Sequence, residues 1–173
     1  MTECWTDEDT SCFWLRDLLP GIFEPATQIR VLSFGYSKED EDRIETEEIA
    51  RFAIEQVTRS AGNPNGDLVW LAHSFGGPLL KGILYSDQGL LERTRAVLFF
   101  GVPRNSAPWK NMALATAGED DHVGVSEEIK KMQREVRWLG ESQSRFAELC
   151  QEGRFKVWWF LETSGGVDER VST

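Results

Sequence analysis

Cysteine, histidine and net positive charge are all scarce in this chain. Cysteine occurs three times in 173 residues, at Cys4, Cys12 and Cys150. That is too few, and too irregularly spaced, for a disulfide framework or a zinc site, so the three read as reduced thiols of an intracellular protein. Lysine and arginine number 19 against 29 aspartates and glutamates, a formal net charge of -10. This argues against nucleic acid or an anionic membrane surface as the main partner, because those need clustered basic side chains. No apolar run approaches the roughly 20 residues of a membrane span, so no transmembrane segment is expected. The acidic start, Met1 to Asp9, lacks the basic and apolar regions of a signal peptide, which makes a cytoplasmic protein the default expectation. Only two histidines, His73 and His122, are available as general bases. No internal repeat or low-complexity segment occurs, and nothing implies a cofactor or a metal.

What is present is globular in kind: 40% hydrophobic and 28% charged residues, long enough for one domain over 1–173 with a sizeable core. The chain is organised around Asp67 to Lys81, an apolar run that breaks at His73-Ser74 and restarts after two glycines. A strand over 68–72, a sharp turn at Ser74 and a helix carrying Leu79, Leu80, Ile83 and Leu84 at helical spacing form the context of a nucleophile elbow. The residues two before and two after such a serine must be small, since the backbone folds back on itself there. Ala72 and Gly76 fill those places. The following helix begins with Phe75 and Gly76, and its unpaired N–H groups and dipole would point to Ser74, where an oxyanion would develop. Pro78 falls in the first turn, where no intrahelical donor is required.

Taken in order, residues 1–12 are polar and carry no strand, and Phe13 to Pro20 is a short helical apolar segment. Gln28 to Gly35 has strand composition. The acidic run Lys38 to Glu48 reads as a solvated loop and helix start rather than a metal site. Ile49, Phe52, Ala53 and Val57 mark a helix to about Ser60, and 61–66 is a turn. After the elbow helix, 86–89 breaks the pattern, and 95–100 is a buried strand ending in Gly101. Residues 107–125 are loop. Ser126 is a helix N-cap, Gly140 a stop, and Phe146 and Leu149 belong to a second helix. Phe155 to Leu161 is the last strand, followed by a loop over 162–168. This alternation predicts a mostly parallel sheet with helices on both faces, and chemistry at the C-terminal strand ends, where Ser74, Gly101 to Arg104 and Glu162 fall. The tryptophans Trp14, Trp70, Trp158 and Trp159 read as core or its rim, and Trp109 as pocket or partner surface.

Four ordered stretches, Phe13 to Pro20, Ile29 to Tyr36, Ala72 to Gly77 and Phe99 to Pro103, together resemble the lipase-like serine esterases of the α/β-hydrolase superfamily, from about Trp5 to about Thr163. That group includes serine-active-site-containing proteins and the N-terminal domains of fungal multidomain proteins. The resemblance implies an α/β-hydrolase fold, hydrolysis of ester or lipid bonds, and a Ser…Asp/Glu…His triad. On it, Ser74 is the nucleophile, Glu162 the acid with Asp168 the other candidate in the same loop, and the Phe75 N–H one oxyanion donor. The chain departs from the family pattern at both ends. The first family strand with its His-Gly loop, and the later strand with the terminal histidine, have no counterpart, so a partial fold is expected. Arg104 and Asn105 stand where a histidine is usual.

His73, next to Ser74, should project to the opposite face, and His122 lies in a polar loop ahead of the acid. Without a base, a serine hydroxyl is a poor nucleophile. Two expectations follow. One is a serine hydrolase of small-molecule or lipid esters with an incomplete triad, with mitochondrial or endoplasmic-reticulum association implied only by the resemblance. The other is a catalytically inactive hydrolase remnant or interaction module, whose incomplete sheet a protein partner would cover.

Overall fold

The computed structural model describes residues 5–7, 9–24, 27–36, 45–60, 65–102, 127–163 and 166–170. The architecture is α/β: a sheet in the order β1-β2-β3-β4 with helices around it. Its strands are β1 (Leu68–His73), β2 (Thr94–Phe100), β3 (Lys156–Thr163) and β4 (Gly166–Arg170). The helices are α1 (Trp14–Asp17), α2 (Thr46–Ser60), α3 (Gly76–Ser86), α4 (Gln88–Arg93) and α5 (Glu127–Gln151), with a 3-10 turn over Leu19–Ile22. The first three strands are parallel, and β4 returns antiparallel to β3.

Strand alternation sorts the sheet's side chains. Trp70, Ala72, Val97, Phe99, Val157 and Trp159 lie on the face packed by Leu80 and Leu84 of α3 and by Phe146 and Leu149 of α5. Val97 and Phe99 lose all solvent contact. A second cluster joins α2 to α3 and α5 through Ile49, Ala53, Val57, Leu79, Ile83, Trp138 and Leu139. Both crossover helices sit on this one face, as right-handed parallel connections require when strand order follows the chain. On the opposite face, the α1 region reaches the sheet through Trp5, which packs edge-on against Trp14, His73 and Phe100. The N-terminal residues thus join the fold earlier than their polarity suggests, and Thr6 also bridges Phe13.

Four sequence expectations are corrected. Residues 28–34 form no strand: 27–36 lacks regular structure, with Ile29, Val31 and Leu32 exposed. β-Branched composition suits a strand, but only a paired neighbour makes one, and no backbone hydrogen bond ties 28–35 to β1 among the described residues. Gly140 does not stop a helix, because α5 runs unbroken to Gln151. The stop is Gly153, at φ +66°, where the Gly153 N–H donates to the Cys150 carbonyl and the Arg154 N–H to that of Leu149. The break at 86–89 is one residue, Asp87, whose side chain accepts from the Leu90 N–H at 2.8 Å and so starts α4. Within the expected loop over 162–168, residues 162–163 instead end β3 and 166–168 open β4. The readings of Lys38 to Arg43, Arg104, Asn105, Trp109, His122 and Ser126 lie outside the described residues.

Candidate active site

β1 ends at His73, and the chain turns through Ser74 and Phe75 directly into α3. The Ser74 N–H donates to the Phe100 carbonyl at 3.0 Å, and the Gly101 N–H to that of Phe160 at 2.9 Å. β1 and β2 therefore finish at one level, with the serine at their C-terminal end, while β3 runs on to Thr163. Ser74 has φ +50°, a left-handed conformation that is rare for a residue with a side chain, and it is exposed. Local strain of this kind persists only where surrounding structure enforces it. Here the β1–β2 ladder holds one side, and the Gly77 N–H donating to the Ser74 carbonyl at 3.0 Å holds the other.

The small residues act differently from the simplest reading. A Cβ on Gly76 would lie 3.9 Å from that of Ala72, an ordinary contact, so an alanine there fits. The tight position is Gly77, where a Cβ would fall 2.8 Å from Cγ2 and 3.1 Å from Cβ of Val102, and closer still to Cγ1. The second glycine thus lets α3 settle onto the chain leaving β2.

Phe75 takes helical dihedrals at the mouth of α3, and its N–H has no backbone acceptor among the described residues. It is available to a developing negative charge, and the helix dipole adds to the attraction. His73 is half-buried with its ring edge-on to Trp5, 6.3 Å between centroids. No other histidine is among the described residues. Glu162 lies in the last turn-ward residues of β3, opposite Val167, and Asp168 lies in β4, opposite Leu161. With strands about 4.8 Å apart, the Glu162 backbone stands roughly 10 Å across the sheet from β1, and β4 one strand further.

Two aromatic residues escaped the sequence reading. Trp5 touches the residue before Ser74, and Tyr36 packs edge-on against Phe75, the residue after it, at 5.8 Å. The elbow is bracketed by rings from two N-terminal segments. An isolated tryptophan in the acidic start was the only signal for Trp5. Among the described residues, no group of histidine, cysteine or carboxylate side chains could hold a metal ion, and no helix is long and apolar enough to cross a membrane.

Comparison with known proteins adds distant relatives. Protein SERAC1 of Mus musculus is 26% identical over 175 residues, which cover 91% of this chain and 25% of that protein. For Danio rerio the figures are 26% over 177 residues, with 94% and 25% covered, and for Homo sapiens 26% over 175, with 91% and 25%. Protein SERAC1 is a distant homologue of this chain. The chain spans about a quarter of the length of the curated relatives it matches. No protein-family model matches it, and no solved structure matches it.

Proposed function

We propose that the chain is a serine-hydrolase-like domain of the lipase-like esterase type, with Ser74 the nucleophile toward an ester or lipid carbonyl. The observation that carries this reading is the exposed Ser74 at φ +50°, held between the end of β1 and the start of α3. Ser74 Oγ would bond to the carbonyl carbon as its proton passes to a base, a histidine not among the described residues; the carbonyl electron pair would become an oxyanion received by the Phe75 N–H, and its collapse would expel the alcohol, which takes up the proton. Glu162, whose strand β3 lies nearer to β1 than β4 does, is proposed as the acid, with Asp168 second. The distant similarity to protein SERAC1 along most of the chain supports the reading.

The test is labelling by an alkyl fluorophosphonate. The wild-type protein should be modified at Ser74, as read by peptide mass, and Ser74→Ala should not be. Ser74→Gly should also resist labelling yet melt higher than Ser74→Ala, by about 1 kcal/mol in stability, because glycine alone accepts positive φ without strain. A folded wild-type protein that takes no label overturns the hydrolase reading. A second reading, an interaction module without catalysis, is favoured by the exposed apolar side chains of Val69, Ile29, Val31 and Leu32.

A further inference from the structure

We propose that Trp5 is a positioning residue for Ser74: its indole braces the side chains of His73 and Phe100, and through them holds the backbone turn that presents the serine hydroxyl. The kinetic consequence rests on the hydrolase reading above, whereas the hold on the turn does not.

Ser74 carries a conformation that its residue type disfavours, φ +50°, so the structure around it must supply the constraint. Its N–H donates to the Phe100 carbonyl at 3.0 Å, one residue past the last β1–β2 pair, His73 with Phe100. A bond at the end of a ladder opens more easily than one in its middle unless the strand ends are fastened. Fastening can act on the side chains of His73 and Phe100. They leave the sheet on the face opposite Ala72 and Phe99, the pair packed against α3 and α5, so the hold on them comes from elsewhere.

Trp5 meets both. Its ring stands edge-on to His73, at 73° and 6.3 Å between centroids, and to Phe100, at 88° and 5.6 Å. Both contacts lie in the favourable edge-to-face range. One indole thereby ties the residue before Ser74 to the residue whose carbonyl accepts the Ser74 N–H. Phe100 in turn stacks on Phe160 across the β2–β3 pair, at 4.6 Å and 7°, and the Phe160 carbonyl accepts the Gly101 N–H. The row of His73, Phe100 and Phe160 runs across three strands beside the elbow, with Trp5 bearing on its first two members.

Trp5 is itself held. Trp14 of α1 packs on it at 6.2 Å and 65°, Thr6 bridges Phe13, and the Asp7 N–H donates to the Cys12 carbonyl at 3.0 Å. The indole therefore reaches the elbow from a folded base.

The test compares Trp5→Leu, which keeps apolar bulk but removes the ring, with Trp5→Phe, which keeps a ring, in the whole chain well below every melting temperature. Residue-resolved amide exchange is one readout. The other is labelling by an alkyl fluorophosphonate, in which the Ser74 oxygen bonds to phosphorus as fluoride leaves and the hydroxyl proton passes to a base. Trp5→Leu should speed exchange of the Ser74 N–H about tenfold or more and leave Val97 and Phe99 unchanged. It should also lower the maximal labelling rate about tenfold at an unchanged half-saturating probe concentration, the split expected of a misplaced nucleophile with probe binding intact. Trp5→Phe should recover most of both. Trp14→Leu, which withdraws the support of Trp5, should act in the same direction and less, and it carries the test if Trp5→Leu does not fold. Ile22→Ala, at a residue 76% exposed in the same N-terminal region, should change neither.

Unchanged exchange at Ser74 in the ring-removing variants overturns the proposal. Equal acceleration at Val97 and Phe99 overturns it too, because Trp5 would then support the fold at large. A raised half-saturating concentration at an unchanged maximal rate overturns it in favour of a ring that touches the probe. A wild-type protein that takes no label overturns the hydrolase reading alone, and exchange of the Ser74 amide still decides whether Trp5 holds the turn.

Discussion

Lys81 is the residue whose chemistry the core resists most. It is 3% exposed on α3, and its ammonium lies 5.3, 5.5 and 5.1 Å from the ring centres of Phe99, Phe146 and Trp159. Its Nζ donates to Gln143 Oε1 at 2.6 Å. Three ring faces attract the charge, but loss of water outweighs them: burial pushes the Lys81 pKa down from 10.5 to about 8, with Cys150 opposing the shift weakly. The folded state therefore binds fewer protons than the unfolded chain between about pH 8 and 10.5, and the lysine's contribution to stability rises with pH across that window. Cys150 works the other way, because burial raises its thiol pKa above 9.0, so the folded state loses ground once the unfolded thiol ionises. The clean interval is pH 8 to 9. Lys81→Met should raise stability at pH 7 by about 1–2 kcal/mol, less than the full desolvation cost because Gln143 loses its donor. Thermal melts of the two proteins should then converge between pH 8 and 9. A variant less stable than wild type at pH 7 would mean that the rings and Gln143 outweigh burial.

At the scale of elements, two glycines that look alike in sequence act differently. Gly140 sits within α5 at ordinary helical dihedrals, and a Cβ there would meet nothing within 4 Å. Gly153 sits at φ +66°. Gly140→Ala should stabilise the protein by about 0.5–1 kcal/mol, and Gly153→Ala should destabilise it by about 1–2 kcal/mol, measurable by urea titration. Equal effects would remove the distinction between interior and cap. Sequence could not make it, because a glycine next to a polar residue signals a stop only when the apolar stripe ends there. The stripe continues: Val136, Leu139, Phe146 and Leu149 are all buried. β1, β2 and β3 were legible because buried parallel strands are short apolar runs. β4 was not, since Gly-Val-Asp-Glu-Arg carries no such run and exists by pairing with β3. Residues 28–34 fail in the opposite sense, with strand composition and no paired neighbour among the described residues. The elbow was legible because strand, turn and helix are contiguous in sequence. Trp5 and Tyr36 were not, since only the fold brings them to either side of Ser74.

For the whole molecule, order is set by distance from β2. That strand is paired on both sides and holds Val97 and Phe99, both without solvent contact, against α3 and α5. The ion pairs lie outside this core: Arg51–Glu47, Arg59–Glu55 and Arg145–Glu148 are solvent-exposed side chains, each contributing well under about 1 kcal/mol. Stability therefore resides in the apolar clusters rather than in the charged surface, and added salt should change it little. The described residues from 5 to 36 are held differently. Leu18 and Ile22 are 60% and 76% exposed, and the anchors of that region are few: Leu15, the Trp5 rings, Phe34 and Tyr36. Regions with few buried apolar contacts open at low cost, whereas the core opens only on global unfolding. Amide exchange followed by mass spectrometry should thus find residues 95–99 slowest, with 77–84 and 145–150 close behind. Residues 9–24 and 28–35 should exchange about a hundredfold faster or more, which requires a local opening at least about 3 kcal/mol easier than unfolding. If 9–24 exchanged as slowly as β2, the Trp5 contacts would fasten the α1 region into the core, and the aromatic bracket around Ser74 would be a rigid wall rather than a separately opening segment.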